Sequence, residues 1–235
     1  MSNSVLITGA SQGIGLATAL EYIEKHEGLK DIVVVSRKSK HFDEAVELLK
    51  NNNPHGVKIH RYEADLSDLD SIGPMVKSIR NDVGNIDILV NNAGYTNPVP
   101  LHQSEIEDFK RTMDVNLYAP FLIVKDFLNA GNTFDLIVNI ASTAGIGGRS
   151  GWLTYSASKA AMINMSQVMR EELAIYGTRV ACISPGRCAT ALRRTLAPDE
   201  DPTTIMQPEH VAEVIQILAT EAGKAIDSNN MVIRR

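Results

Sequence analysis

Short apolar runs alternate with longer segments whose apolar positions recur at helical spacing, and this alternation organises most of the chain. Val5 to Thr8 reads as a strand ended by a glycine-rich turn. Ile14 to Tyr22 then reads as a helix, with Leu16, Ala19, Leu20 and Ile23 on one side. The same pattern predicts strands over Ile32 to Val35, Lys58 to Glu63, Ile86 to Val90, Leu136 to Ile140 and Arg179 to Ile183. Helices are predicted over Phe42 to Asn51, Leu69 to Asp82, Glu105 to Thr112, Val115 to Leu128 and Tyr155 to Tyr176. Strands that are continuously apolar are buried on both faces, and strands separated by helices need crossover connections, so an α/β fold with a helix-covered parallel sheet follows. Leu192 to Pro208 breaks the pattern: it holds Arg193, Arg194, Asp199, Glu200, Asp201 and three prolines without periodicity. A long surface loop is expected there, either a lid or an excursion without a role. Val211, Val214, Ile215 and Leu218 predict one more helix, and Asn230 to Ile233 a last strand.

Composition narrows the possibilities. The 235 residues, 44% apolar and 22% charged, suffice for one domain with a sizeable core. Acidic residues outnumber basic ones, 28 to 23, so nothing marks a surface for nucleic acid or an anionic membrane. No apolar run approaches the roughly 20 residues that span a bilayer. The chain enters its first strand without a basic leader, and only Cys182 and Cys188 are present, which fits a reducing cytosol. Six scattered histidines and two cysteines form no metal-ligand pattern, and no metal is expected.

Candidate chemistry sits at strand ends. Thr8-Gly9-Ala10-Ser11-Gln12-Gly13-Ile14-Gly15 lies between the first strand and first helix, where backbone N–H groups and the helix dipole can face a pyrophosphate. Its glycines stand at 9, 13 and 15, a spacing different from the usual dinucleotide fingerprint, and glycines also serve plain tight turns. About 20 residues beyond the loop, Ser36 occupies the place where a carboxylate would meet a free ribose 2′-hydroxyl. With Arg37 and Lys38 beside it, this turn suits a 2′-phosphate and so NADP(H) over NAD(H); a solvated basic turn would carry the same residues.

Tyr155 and Lys159 are four apart in a helical segment and share one face. Using a phenol of pKa near 10 at pH 7 requires a shift of about 4 kcal/mol. An ammonium about 5 Å away supplies roughly 3 kcal/mol at an effective dielectric of 20. An exposed Tyr/Lys pair would have the same spacing. Ser142, which closes the strand Leu136 to Ile140 at the end where ligands collect in parallel sheets, favours a reactive pair.

These residues together resemble the short-chain dehydrogenase/reductase family over nearly the full chain. Its T-G-x-x-x-G-I-G loop is matched by Thr8 to Gly15, its N-N-A-G by Asn91 to Gly94 and its Y-x-x-x-K by Tyr155 and Lys159. The resemblance implies a single NADP(H)-binding domain over 1–235: a Rossmann-type doubly wound parallel sheet with helices on both faces. It implies Asn116, Ser142, Tyr155 and Lys159 as catalytic residues. Cofactor contacts are implied at Gly9, Ser11, Gln12, Gly13, Ile14 and Gly15, at Ser36 and Arg37, and at Asp65 and Leu66 beside the adenine. Further contacts are implied at Asn92, Ala93 and Gly94, at Tyr155 and Lys159, and at Pro185, Gly186 and Thr190 beside the nicotinamide. The implied reaction is carbonyl reduction, with Tyr155 protonating the oxygen, Ser142 polarising it and Asn116 holding a water of a proton relay. In two places the chain departs from relatives: Gln12 replaces a basic residue common in NADPH users, and Ala225 to Arg235 lacks the glycine-rich ending of oxoacyl reductases.

The segment Ser184 to Thr190, with Leu192-Arg193-Arg194 and Glu200-Asp201-Pro202, is similar to reductase domains found with sugar-nucleotide cytidylyltransferases, which act on ribulose 5-phosphate. Arg187, Arg193 and Arg194, on a lid at about 187–208, are therefore expected at a substrate phosphate, with Trp152 either lining the pocket or serving only to pack. A pairing of some of these arginines with Asp199, Glu200 or Asp201 is the plainer alternative. A 3-oxoacyl thioester is the second substrate reading, and an NADP(H) redox sensor without turnover the reading from another class. Family members commonly assemble through two long helices, so a homodimer or homotetramer is expected.

Overall fold

A computed structural model of the chain describes residues 3–226 and 229–234. Met1, Ser2, Asp227, Ser228 and Arg235, at the ends and in the closing segment of the expected domain, lie outside the described residues. The strands are β1 (Ser4–Thr8), β2 (Asp31–Ser36), β3 (Lys58–Glu63), β4 (Ile88–Asn91), β5 (Leu136–Ile140), β6 (Arg179–Pro185) and β7 (Met231–Ile233). They form one sheet in the order β3-β2-β1-β4-β5-β6-β7, and every pairing is parallel. The chain winds outward from β1 to β3 and then returns to the other side of β1, so β1 and β4 flank the crevice where the strand order reverses.

Period-two alternation sorts the strand side chains onto two faces. Val5, Ile7, Val34 and Val90 join a core under α1 (Gly13–Lys25), α2 (Lys40–Asn51) and α8 (Pro208–Leu218). Leu6, Val33, Val35 and Leu89 join another under α3 (Ile72–Val83), α5 (Ala119–Asn129) and α6 (Leu153–Leu173). The doubly wound α/β architecture expected from the alternation is the one observed. The edge strand β3 carries its charges outward, where Arg61 pairs with Asp43 and Glu63. No helix among the described residues is long and apolar enough to cross a membrane.

Two stretches differ from the expectation. Between α4 (Ile106–Met113) and α5, Asp114–Tyr118 forms a π-helical segment rather than the start of a separate helix. The expected loop Leu192 to Pro208 begins as a short helix, α7 (Ala191–Leu196), and holds a 3-10 turn over Pro202–Thr204. Thr190 starts α7 by accepting from the Arg193 N–H at 3.1 Å. Cys188 and Met206 then bridge in parallel, so the excursion is fastened at both ends. Periodicity missed α7 because six residues are too few to repeat an apolar stripe.

Candidate active site

A cleft opens along the carboxyl ends of the strands, and the turn after β1 forms its floor. Gly9 and Gly13 have φ of 68° and 56°, a region that glycine enters without steric cost. A Cβ on Gly9 would stand 2.8 Å from the Ala93 Cα, so the turn presses directly on the chain that follows β4. Thr8 and Asn92 tie the two together. The Asn92 and Ala93 N–H groups donate to the Thr8 hydroxyl, and the Asn92 amide donates to the carbonyls of Thr8 and Gly9. No side chain caps α1 at Gln12, and its first turn holds no acid, so the leading N–H groups remain available to an anion.

Ser36, the last residue of β2, and Arg37 after it line the cleft together with Asp65 and Leu66, which follow the neighbouring strand β3. Arg37 makes no salt bridge among the described residues, although its charge reaches Asp65. Burial opposes ionisation of Asp65, but hydrogen bonds from Ser67 and the cations Arg37 and Arg111 bring its carboxyl below the usual range. The cradle therefore combines glycine backbone, free helix N–H groups and an unbridged guanidinium. That donor set fits a phosphorylated dinucleotide.

The reactive side chains meet at the end of β5. Ser142 leaves the strand and accepts from the Ala144 N–H at 3.1 Å, which fixes its oxygen and leaves its O–H free to donate. The following turn rests on α6 at Gly145, where a Cβ would lie 2.5 Å from the Lys159 carbonyl carbon. Tyr155 and Lys159 project from α6 and are only 6% and 3% exposed. The Lys159 Nζ donates to the Ile140 carbonyl at 2.6 Å and lies 5.8 Å from the Tyr155 ring centre. Burial pushes the Lys159 amine down to about 8.

Here the structure corrects one expectation. Burial raises the Tyr155 phenol above its ordinary value, while Ser142 and the Arg193 guanidinium pull in the opposite direction. Acidification by Lys159 does not emerge, because desolvation acts on both groups and the amine is committed to the strand carbonyl.

The cleft brings together Gly9, Ser11, Gln12, Gly13, Ile14, Ser36, Arg37, Asp65 and Leu66 with Asn92, Ala93, Gly94, Pro185, Gly186 and Thr190. Ser142, Trp152, Tyr155, Lys159, Arg187 and Arg193 line it too. Three expected site residues do not. Gly15 is buried behind the turn, where a Cβ would strike the Gly9 carbonyl oxygen at 2.4 Å, so its role is packing. Asn116 is fully buried in the π-helical segment; it accepts from the Tyr95 N–H and donates to the Tyr95 carbonyl and Ser158 hydroxyl. Arg194 is exposed on α7 outside the lining, because adjacent helical residues point to different faces.

Glu200 answers the charge of the other two arginines. It accepts from the Arg193 Nε and Nη2 at 2.5 and 2.7 Å and from Arg187 at 3.4 Å, and these cations hold its carboxyl below the usual range. The Arg193 guanidinium also lies 5.5 Å from the Trp152 ring centre. Two lining cations escaped sequence reasoning. Arg111 stacks on Tyr95 at 4.5 Å and carries a buried Nε without a partner, while Arg149 stands 5.6 Å from the Trp152 ring centre. Closeness to Ser142 in the chain hints at Arg149; nothing local marks Arg111, which reaches the cleft from α4 beside Tyr95.

Residues 3–201 match the family profile described as short chain dehydrogenase. The chain is 34% identical over 227 residues to a 3-oxoacyl-(acyl-carrier-protein) reductase of Synechocystis sp., covering 94% of this chain and 90% of that one. It is 33% identical over 233 residues to 3-oxoacyl-(acyl-carrier-protein) reductase FabG of Thermotoga maritima, covering 94% and 92%. Among solved structures, YwfH, described as an NADPH dependent reductase involved in bacilysin biosynthesis, superposes with a TM-score of 0.87 at 22% identity, covering 100% of this chain and 97% of its own.

Proposed function

Because the chain belongs to the short chain dehydrogenase family and is an oxidoreductase by that membership, we propose that it reduces a carbonyl to an alcohol with NADPH. The observation that carries this reading is the convergence of Ser142, Tyr155 and Lys159 in the same cleft as the glycine turn and Arg37. NADPH, when bound, supplies the hydride. Tyr155 donates its phenolic proton to the carbonyl oxygen, and Ser142, held by Ala144, gives that oxygen a hydrogen bond. Lys159 spends one donor on Ile140, leaving two N–H groups to hold a ribose hydroxyl and to relay a proton toward Tyr155. Arg37 and Ser36 select the 2′-phosphate, a choice supported by the NADPH dependence stated for YwfH. Asn116 acts as a positioning residue that fixes the Tyr95 backbone beside Gly94.

For the substrate we infer a sugar phosphate such as ribulose 5-phosphate, on the strength of the Arg149 and Arg193 guanidinium groups beside Trp152, the second of them carried by the segment 187–208. That segment is read as a lid. A 3-oxoacyl thioester is the second reading, favoured by the relatives at 34% and 33% identity. Exposed apolar residues on and around α4, α5 and α6, among them Ile106, Tyr118, Phe121 and Val168, support a homodimer or homotetramer. Stopped-flow loss of NADPH absorbance with ketose phosphates, free ketoses and oxoacyl thioesters tests the function. Consumption with ketose phosphates is expected; consumption with thioesters alone replaces the substrate, and consumption with none leaves the redox sensor.

A further inference from the structure

Of the charged side chains lining the cleft, six are arginine or lysine and one, Asp65, is an acid, in a protein whose net charge is −5. Most of these cations have duties. Arg37 and Arg111 act on Asp65 at the dinucleotide end, Lys159 is bound to the Ile140 carbonyl, and Arg187 and Arg193 share Glu200. Arg149 is left without a carboxylate partner among the described residues. It is also placed with care: the Trp152 N–H donates to the Arg149 carbonyl, closing a turn with Gly151 at φ 78°. That turn puts the guanidinium near the ring of Trp152, with Arg193 near the same ring and Tyr155 one helical turn further on. Gly147, Gly148 and Gly151 have nothing within 4 Å of an added Cβ, so the loop carrying Arg149 can adjust around a ligand.

We propose that Arg149 is the substrate-anchoring residue of this site, gripping a phosphate ester on the carbonyl compound together with Arg193 across Trp152. The inference rests on the reductase reading above and adds to it the residue that sets substrate class. Charge supports a phosphate monoester in particular: three guanidinium groups against the single carboxylate of Glu200 leave two positive charges, which a dianion of about −2 at neutral pH matches better than a carboxylate.

Trp152 is the one tryptophan in the chain, so its fluorescence reports on this subsite. With the protein saturated by NADP, titration with inorganic phosphate should give a saturable change, about tenfold weaker in Arg149→Ala and partly recovered in Arg149→Lys. A ketopentose 5-phosphate should bind more tightly than inorganic phosphate. Tighter binding by an oxoacyl pantetheine phosphate instead would assign the same subsite to a carrier arm. An Arg149→Ala titration like that of the parent protein, or no saturable response in the parent, overturns the proposal. Turnover separates the two inferences. If NADPH reduces no carbonyl while the phosphate response still depends on Arg149, the reductase reading fails alone. Where turnover occurs, Arg149→Ala should raise KM for the phosphorylated substrate more than it lowers kcat, and unchanged KM counts against the anchor.

Discussion

The two ends of the cleft are built by different means. At the dinucleotide end, backbone packs on backbone: a side chain on Gly9 would meet Ala93 at 2.8 Å, and one on Gly15 would meet the Gly9 carbonyl at 2.4 Å. At the substrate end, Gly147, Gly148 and Gly151 have open space around them, and the wall consists of long cations stacked on Trp152 and paired through Glu200. A rigid cradle suits a ligand that never changes. A roof of adjustable side chains lets the same fold take different carbonyl compounds.

Substitutions can break or sharpen this contrast. The largest effect is expected from Gly15→Ala, whose Cβ has no space: a loss of about 3 kcal/mol of stability, read by urea denaturation. Stability near that of the parent protein would mean that the cradle yields.

Next comes the amine at the reacting centre. Lys159 titrates at about 8 in the folded chain against 10.5 in the unfolded one, so between these values the unfolded state binds more protons and stability rises with pH. The rise from about pH 7.5 to about pH 9.5 should be about 2 kcal/mol and absent in Lys159→Met. Equal pH slopes for the two proteins would remove the buried ammonium from the account.

Arg37→Ala should raise the KM for NADPH about tenfold and leave that for NADH nearly unchanged, as steady-state kinetics with each cofactor would measure. Equal changes would deny the 2′-phosphate contact. The smallest effect is expected from Gly148→Ala at the open end, less than about 0.5 kcal/mol by thermal denaturation, and a large loss there would erase the difference between the two regions.

The same difference explains what could be read from the chain. Each strand of the main repeat, the glycine turn and the Tyr155/Lys159 pair reside in one contiguous stretch whose periodicity or spacing carries the geometry, so pattern locates them, whereas the order of the strands in the sheet appears only in the fold. Arg111 reaches the cleft through a contact between separate segments, its stacking on Tyr95, which no local spacing encodes. Arg193 and Arg194 are neighbours in sequence, yet α7 turns only the first toward the cleft, and a six-residue helix has no repeat from which to phase them. The raised phenol of Tyr155 follows from burial, a tertiary quantity, which outweighs the helical neighbour that spacing alone suggests.

The central claim is that Tyr155 hands its proton to a carbonyl oxygen in the cleft that also holds the reduced dinucleotide. Single-turnover loss of NADPH absorbance in the parent protein and in Tyr155→Phe, with NADPH affinity measured on the same preparations, tests it most directly. The account predicts unchanged affinity and a rate lower by about 10²- to 10⁴-fold, the usual contribution of a positioned acid. A Tyr155→Phe protein that reduces the substrate at nearly the parent rate would contradict it.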